Sequence, residues 1–281
     1  IDSKGMDNGD GGGISGNTIL ENGEIDVQTT VCSEYIMGPL IDEIGSIDII
    51  AASSSYVFYE LYTSRGEASI MSYNIITETR QVLATGGNTA CWSDDYECGV
   101  IVNGNLYFTT RDDNTHRFYS SDGTESGTTM ISQLQNRVIK MVTDNTNIYL
   151  ALYDSGVWKY DGNSVVQIST ENVISGQVSD AYPFKTIGST LFFVASGSSG
   201  YNEIWISDGT ASGTTSTGCD LRLSDGKPYD QILFYSNNWY MHCYKNDGST
   251  NFAIHKYNPV TDSLTQVADT TRLKIMAEHP N

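Results

Sequence analysis

The sequence predicts an all-β fold, a β-propeller of about five four-stranded blades spanning residues 18–281, with its clearest repeats over 45–268. Three observations predict it. From Gly45 onward, short apolar runs alternate with tight polar turns, and no helical pattern intervenes. The same strand–turn–strand pattern recurs five times, and its turn markers, Asn74, Asp122, Asp161, Asp208 and Asn258, lie 48, 39, 47 and 50 residues apart. Composition agrees: 18 Tyr and frequent Val, Ile and Thr suit half-buried pleated strands, while the 27 Gly sit mostly in polar clusters that read as turns.

Each unit opens with a short apolar strand, at 47–53, 99–103, 137–144, 181–188 and 230–236. An aromatic-rich second strand follows at 55–62, 104–110, 147–153, 189–196 and 237–244. After a polar loop, a third strand runs into the marker turn, and a short fourth strand closes the unit. A lone four-stranded sheet cannot bury both faces, so units of this kind stack and bury them on each other. A two-sheet sandwich is the rival architecture, but it does not require one pattern five times over. The segment 18–44 and residues 272–277 hold further strand-like runs, which either complete one blade jointly or make a sixth. Residues 1–17, rich in Gly, Asp and Asn without apolar periodicity, read as a flexible linker. Their acids do not match the spacing of an EF-hand, although calcium is kept open as a ligand of the chain.

A net charge of −19 repels phosphate backbones and anionic membranes, so nucleic acid is not an expected partner. There is no run of about 18 apolar residues, hence no expected transmembrane segment. The start at Ile1 fits a mature or excised segment, read as part of a longer chain or surface assembly. Five cysteines point weakly to an extracellular or cell-surface location. Cys91 and Cys98 flank a short polar loop that a disulfide can staple; zinc there needs two further ligands, and the four His are scattered. Cys219 with Cys243 is the second expected bridge, which leaves Cys32 free or bonded elsewhere.

Two repeats align closely: Phe118-Tyr-Ser-Ser-Asp-Gly-Thr-Glu-Ser-Gly-Thr128 and Ile204-Trp-Ile-Ser-Asp-Gly-Thr-Ala-Ser-Gly-Thr214. They resemble the Glu-Leu-Trp-x-x-Asp-Gly-Thr-x-x-Gly-Thr repeat of secreted and cell-surface bacterial propellers. Trp158-Lys-Tyr-Asp-Gly matches faintly, and the first and last units are generic. The resemblance implies an extracellular propeller and no particular activity. The motif itself reads as architecture: Asp122 and Asp208 accept backbone N–H bonds, Gly123 and Gly209 supply positive φ, and Phe118 and Trp205 fill the space between blades.

No nucleophile elbow, zinc-protease helix or phosphate-cradling loop occurs. Five-bladed glycosidases place carboxylates on innermost strands, and Asp48, Asp144, Asp230 and Glu60 lie on or beside first and second strands. In an acidic chain such carboxylates also arise by chance, so the chain is read as not an enzyme, and a propeller glycoside hydrolase is kept as the alternative. The non-repeating loops are 91–98, 111–117, 196–202 and 245–251. They share the face carrying the blade-to-blade connections and would crowd Trp92, Asp94, Asp95, Tyr96, Asp112, Asp113, His116 and Tyr201 on one rim. Aromatic rings flanked by acids and amides suit an extracellular glycan or protein ligand. The expectation is a non-catalytic recognition or adhesion module; a structural spacer in a surface appendage is the second alternative.

Overall fold

A computed structural model describes residues 44–63, 68–85, 88–89, 99–112, 115–173, 184–196, 202–220, 232–235, 238–244, 252–258 and 263–270. The linker 1–17, the strand-like runs before residue 44, residues 272–277, and Cys32, Cys91 and Cys98 lie outside the described residues. Among those described there is no helix, so none long and apolar enough to cross a membrane.

The strands form five antiparallel, four-stranded meanders. The first holds β1 (Ile44–Ala52), β2 (Tyr56–Thr63), β3 (Ala68–Asn74) and β4 (Thr79–Thr85). After the two-residue β5 (Asn88–Thr89), the second holds β6 (Gly99–Val102), β7 (Asn105–Asp112), β8 (Thr115–Ser121) and β9 (Thr129–Leu134). The third comprises β10 (Val138–Thr143), β11 (Ile148–Leu152), β12 (Gly156–Tyr160) and β13 (Val165–Ser169). The fourth comprises β14 (Phe184–Ile187), β15 (Thr190–Ser196), β16 (Asn202–Ser207) and β17 (Thr214–Asp220). The fifth comprises β18 (Ile232–Tyr235), β19 (Asn238–Tyr244), β20 (Phe252–Asn258) and β21 (Ser263–Thr270). All five expected first and second strands are present, shifted by a few residues at their ends.

Two features were not anticipated. The β5 strand pairs with the far end of β7, opposite Thr110 and Arg111, and so extends the edge that β6 begins. The fourth and fifth meanders join into one sheet through the pair Asp220↔Tyr244, next to a Cys219–Cys243 disulfide.

The meanders stack face to face in chain order. Between the first and second lie Phe58, Ile70 and Leu83 against Leu106 and Phe108. Between the second and third, Phe118 and Leu134 meet Val138, Met141, Ile148, Leu150 and Leu152. Tyr149, Ala151 and Ile139 meet Leu191 and Phe193 across the next gap, and Phe192, Val194 and Ile204 meet Met241 and Tyr257 across the last. The β11 strand explains why: its five residues are all buried, and successive side chains serve alternate gaps. First strands lie side by side along the stack, β1 by β6, β6 by β10 and β10 by β14. Thr186 on β14 donates a hydrogen bond to the Thr143 carbonyl of β10 at 2.6 Å.

Candidate functional site

The two ends of the stack differ in what their polar groups do. At one end sit the first-to-second and third-to-fourth turns. Asp122 Oδ1 accepts from the backbone N–H and hydroxyl of Thr124 at 2.8 and 2.6 Å, and Asp208 Oδ1 does the same for Thr210 at 2.8 and 2.7 Å. Thr124 and Thr210 in turn accept the N–H groups of Gly127 and Gly213 at 3.0 and 2.9 Å. A side chain at Gly127 or Gly213 would collide with the aspartate carboxylate. Gly123 and Gly209 take φ of +95° and +84°. These hydrogen bonds, the threonine hydroxyl first among them, hold both carboxyls below the usual aspartate range.

The same turns fasten neighbouring sheets. Ser72 of β3 donates to the Gly123 carbonyl at 2.6 Å, and the Glu125 N–H donates to Gln81 Oε1 of β4 at 2.8 Å. Gly123 lies against the Tyr56 ring of the first sheet, and Gly209 against Tyr149 and Lys159 of the third. Asp144, considered for hydrolysis, is also part of a turn: it accepts from the Thr146 and Asn147 N–H groups, the Asn147 amide and the Tyr149 hydroxyl. Burial works to raise its carboxyl, and those bonds outweigh it to hold the group below its usual range. Asp48, on β1, is exposed and stands directly across from buried Glu60 on β2. Asp230 lies outside the described residues.

At the opposite end are the β7–β8 turn, the β9–β10 connection and the β11–β12 turn. Of the expected rim residues, Trp92, Asp94, Asp95, Tyr96, Asp113 and Tyr201 lie outside the described residues, and two are described. Asp112 is on the surface, 3.5 Å from Arg117. His116 is only 7% exposed. The segment 111–117, read from sequence as a polar loop, is strand up to Asp112 and again from Thr115. Strand alternation then turns His116 onto the face that carries Phe118, toward the third sheet.

On that face His116 pairs across the strands with Arg111, and Phe118 with Thr109. Neither His116 Nδ1 nor Thr109 Oγ1 has a hydrogen-bond partner, although both atoms are buried. Burial, then the charges of Arg111 and Arg137, hold the imidazole below its ordinary range, so it is neutral at pH 7. Arg137, just before β10, places its guanidinium 4.4 Å from the centre of the Tyr153 ring, and the Tyr153 N–H bonds the Arg137 carbonyl at 2.9 Å. Tyr153 is 47% exposed.

No family model and no curated protein matches the chain. Among solved structures it is similar to TolB from Acinetobacter baumannii, at 14% identity and a TM-score of 0.35 over 73% of this chain and 49% of that one. It is similar to puromycin hydrolase at 9% identity and a TM-score of 0.46, over 83% of this chain and 39% of that one. An acylaminoacyl peptidase from Pyrococcus horikoshii gives 10%, 0.41, 81% and 39%. The chain spans less than half the length of each, and likenesses at this level carry no argument about activity.

Sequence reasoning singled out His116 but missed Thr109, Arg111 and Arg137. The composition carried no signal: apolar and polar residues do not alternate in Tyr-Phe-Thr-Thr-Arg (107–111) or His-Arg-Phe (116–118), and the strand register alone sets which face each takes. Among the described residues no three His, Cys, Asp or Glu side chains gather to hold a metal ion.

Proposed function

We propose that the chain is an extracellular β-propeller of about five blades, akin to the Asp-Gly-Thr repeat propellers, that recognises a ligand at the end carrying the β7–β8 and β11–β12 turns. Face-to-face stacking of meanders with adjoining first strands supports the propeller. The Cys219–Cys243 disulfide supports an oxidising compartment. One observation carries the recognition reading: buried His116 Nδ1 and Thr109 Oγ1 lack partners beside two arginines. Buried polar atoms are normally satisfied, and orphans near this end of the stack fit a site that a ligand completes. The motif turns at the other end have their polar groups engaged already.

A glycan-array screen of the whole chain, with and without calcium, tests this. Binding should be lost on replacing Trp92 and Tyr201 with Ala and kept on Asp122→Ala. A ligand whose affinity ignores the double change places recognition elsewhere. The pair Asp48 and Glu60 favours hydrolysis as a second reading, because facing carboxylates on neighbouring strands suit glycoside cleavage. Glycan turnover abolished by Glu60→Gln would establish it in place of recognition.

A further inference from the structure

His116 is a basic side chain in a place that accommodates a positive charge badly. It is only 7% exposed, on the face of β8 that turns to the third sheet. Its Nδ1 is buried without a hydrogen-bond partner, as is Oγ1 of Thr109 on the same face of β7. On β9 its cross-strand neighbour is Leu134, and Phe118, Val138, Leu150 and Leu152 fill the gap between the two sheets. The charges that act on it, Arg111 across the strands and Arg137 before β10, are both positive. The carboxylates of the two turns at this end are held by other partners: Asp112 faces Arg117 at 3.5 Å, and Asp154 accepts from the Asn172 amide at 2.7 Å.

We propose that His116 is an acid-sensitive latch between the second and third sheets: with its imidazole neutral the two sheets close on each other at this end, and its protonation opens them there. In a neutral ring one nitrogen donates and the other accepts, whereas in the imidazolium both must donate. Nδ1 has no acceptor in the closed state, so the charged ring is left with an unsatisfied donor as well as an unpaired charge. It also adds a third positive charge to those of Arg111 and Arg137. Hydration relieves all of this. The end of the β7–β8 hairpin moves off the third sheet, and the imidazolium reaches water while the rest of the stack stays packed. The latch does not depend on a ligand; where recognition takes place at this end, it adds release in acid.

The sign of the pH dependence is fixed by burial first and the two arginines second, which hold the imidazole below its ordinary value near 6.5. The opened chain, whose imidazole is ordinary, takes up a proton before the closed one does. The closed state therefore has its full stability above about pH 6.5 and loses it as the pH falls from there to the lower value of the buried ring. The depressed aspartates act in the same direction only below about pH 4, so the two effects separate along the pH axis.

The experiment is an NMR titration of the His116 ring in the whole chain, with amide exchange measured from pH 7 down to about pH 5 and corrected for the intrinsic rate. His116 should titrate below about 6.5, and Arg111→Gln or Arg137→Gln should raise its pKa toward that value. Over this range the opening constant of amides in β8, β10 and β11 should rise by up to about tenfold per pH unit, with those of β2 and β3 steady. His116→Gln, which keeps a polar side chain but cannot titrate, should abolish that rise. The proposal is overturned by a His116 pKa at or above about 6.5, by arginine variants that leave it unmoved, by opening that ignores pH, or by a rise that persists in His116→Gln. Should His116→Gln fail to fold, the titration of the wild-type ring and the two arginine variants decide.

Discussion

Asp122 and Asp208 show how much one side chain settles. Each caps two donors of one threonine, and each occupies the space that a side chain at Gly127 or Gly213 would need. Asp122→Ala should cost about 1–2 kcal/mol in urea unfolding. Ser72→Ala should cost a similar amount, about 1–3 kcal/mol, because it leaves the buried Gly123 carbonyl without its donor from the neighbouring sheet. The pH dependence has a definite sign. Asp122, Asp144, Asp161 and Asp208 are all depressed in the folded chain. Their contribution is therefore present above the unfolded aspartate value, near pH 4, and is lost as pH falls through the lower folded values. Asp122→Asn and Asp208→Asn keep an acceptor but cannot titrate. The stability gap between wild type and the double variant should shrink steadily below about pH 4 in denaturation series run at several pH values.

At the scale of elements, the alternation of apolar residues was legible and the partners of each strand end were not. The run Ile148–Leu152 announces a strand buried on both faces, and β11 is one. Leu150, whose side chain fills the gap to the second sheet, should cost about 2–5 kcal/mol as Leu150→Ala. Residues 111–117 misled, because polar composition resembles a loop even when the strands continue almost to the turn. The two-residue β5 has no sequence signal at all, since its pairing is set by β7. Cysteine spacing did suggest the Cys219–Cys243 bridge, which fastens β17 to β19 beside their single bridging pair. Replacing both cysteines with Ser should lower stability by about 3 kcal/mol, and amide exchange should rise first in β18–β21. The first expected bridge, Cys91–Cys98, lies outside the described residues and is testable by mass spectrometry of unreduced peptides, which should recover the linked pair.

Along the stack, the second, third and fourth meanders spend both faces on their neighbours, so their repeating residues are occupied with architecture. Variation at one end of such a stack is where a rigid scaffold builds recognition. The turn motif was readable as structure because its Asp, Gly and Thr chemistry is local. The unpartnered pair Thr109 and His116 was not readable, because only the pairing of β7 with β8 and the stacking of the second sheet on the third bury them. The recognition account is tested most directly by mapping amide shifts across the labelled chain on addition of a glycan captured in the array screen. It predicts changes concentrated at Thr109–Arg111, His116, Asn136, Arg137 and Leu152–Ser155, with the turns 122–128 and 208–214 silent. Changes centred on those turns, or on Asp48 and Glu60, would contradict it.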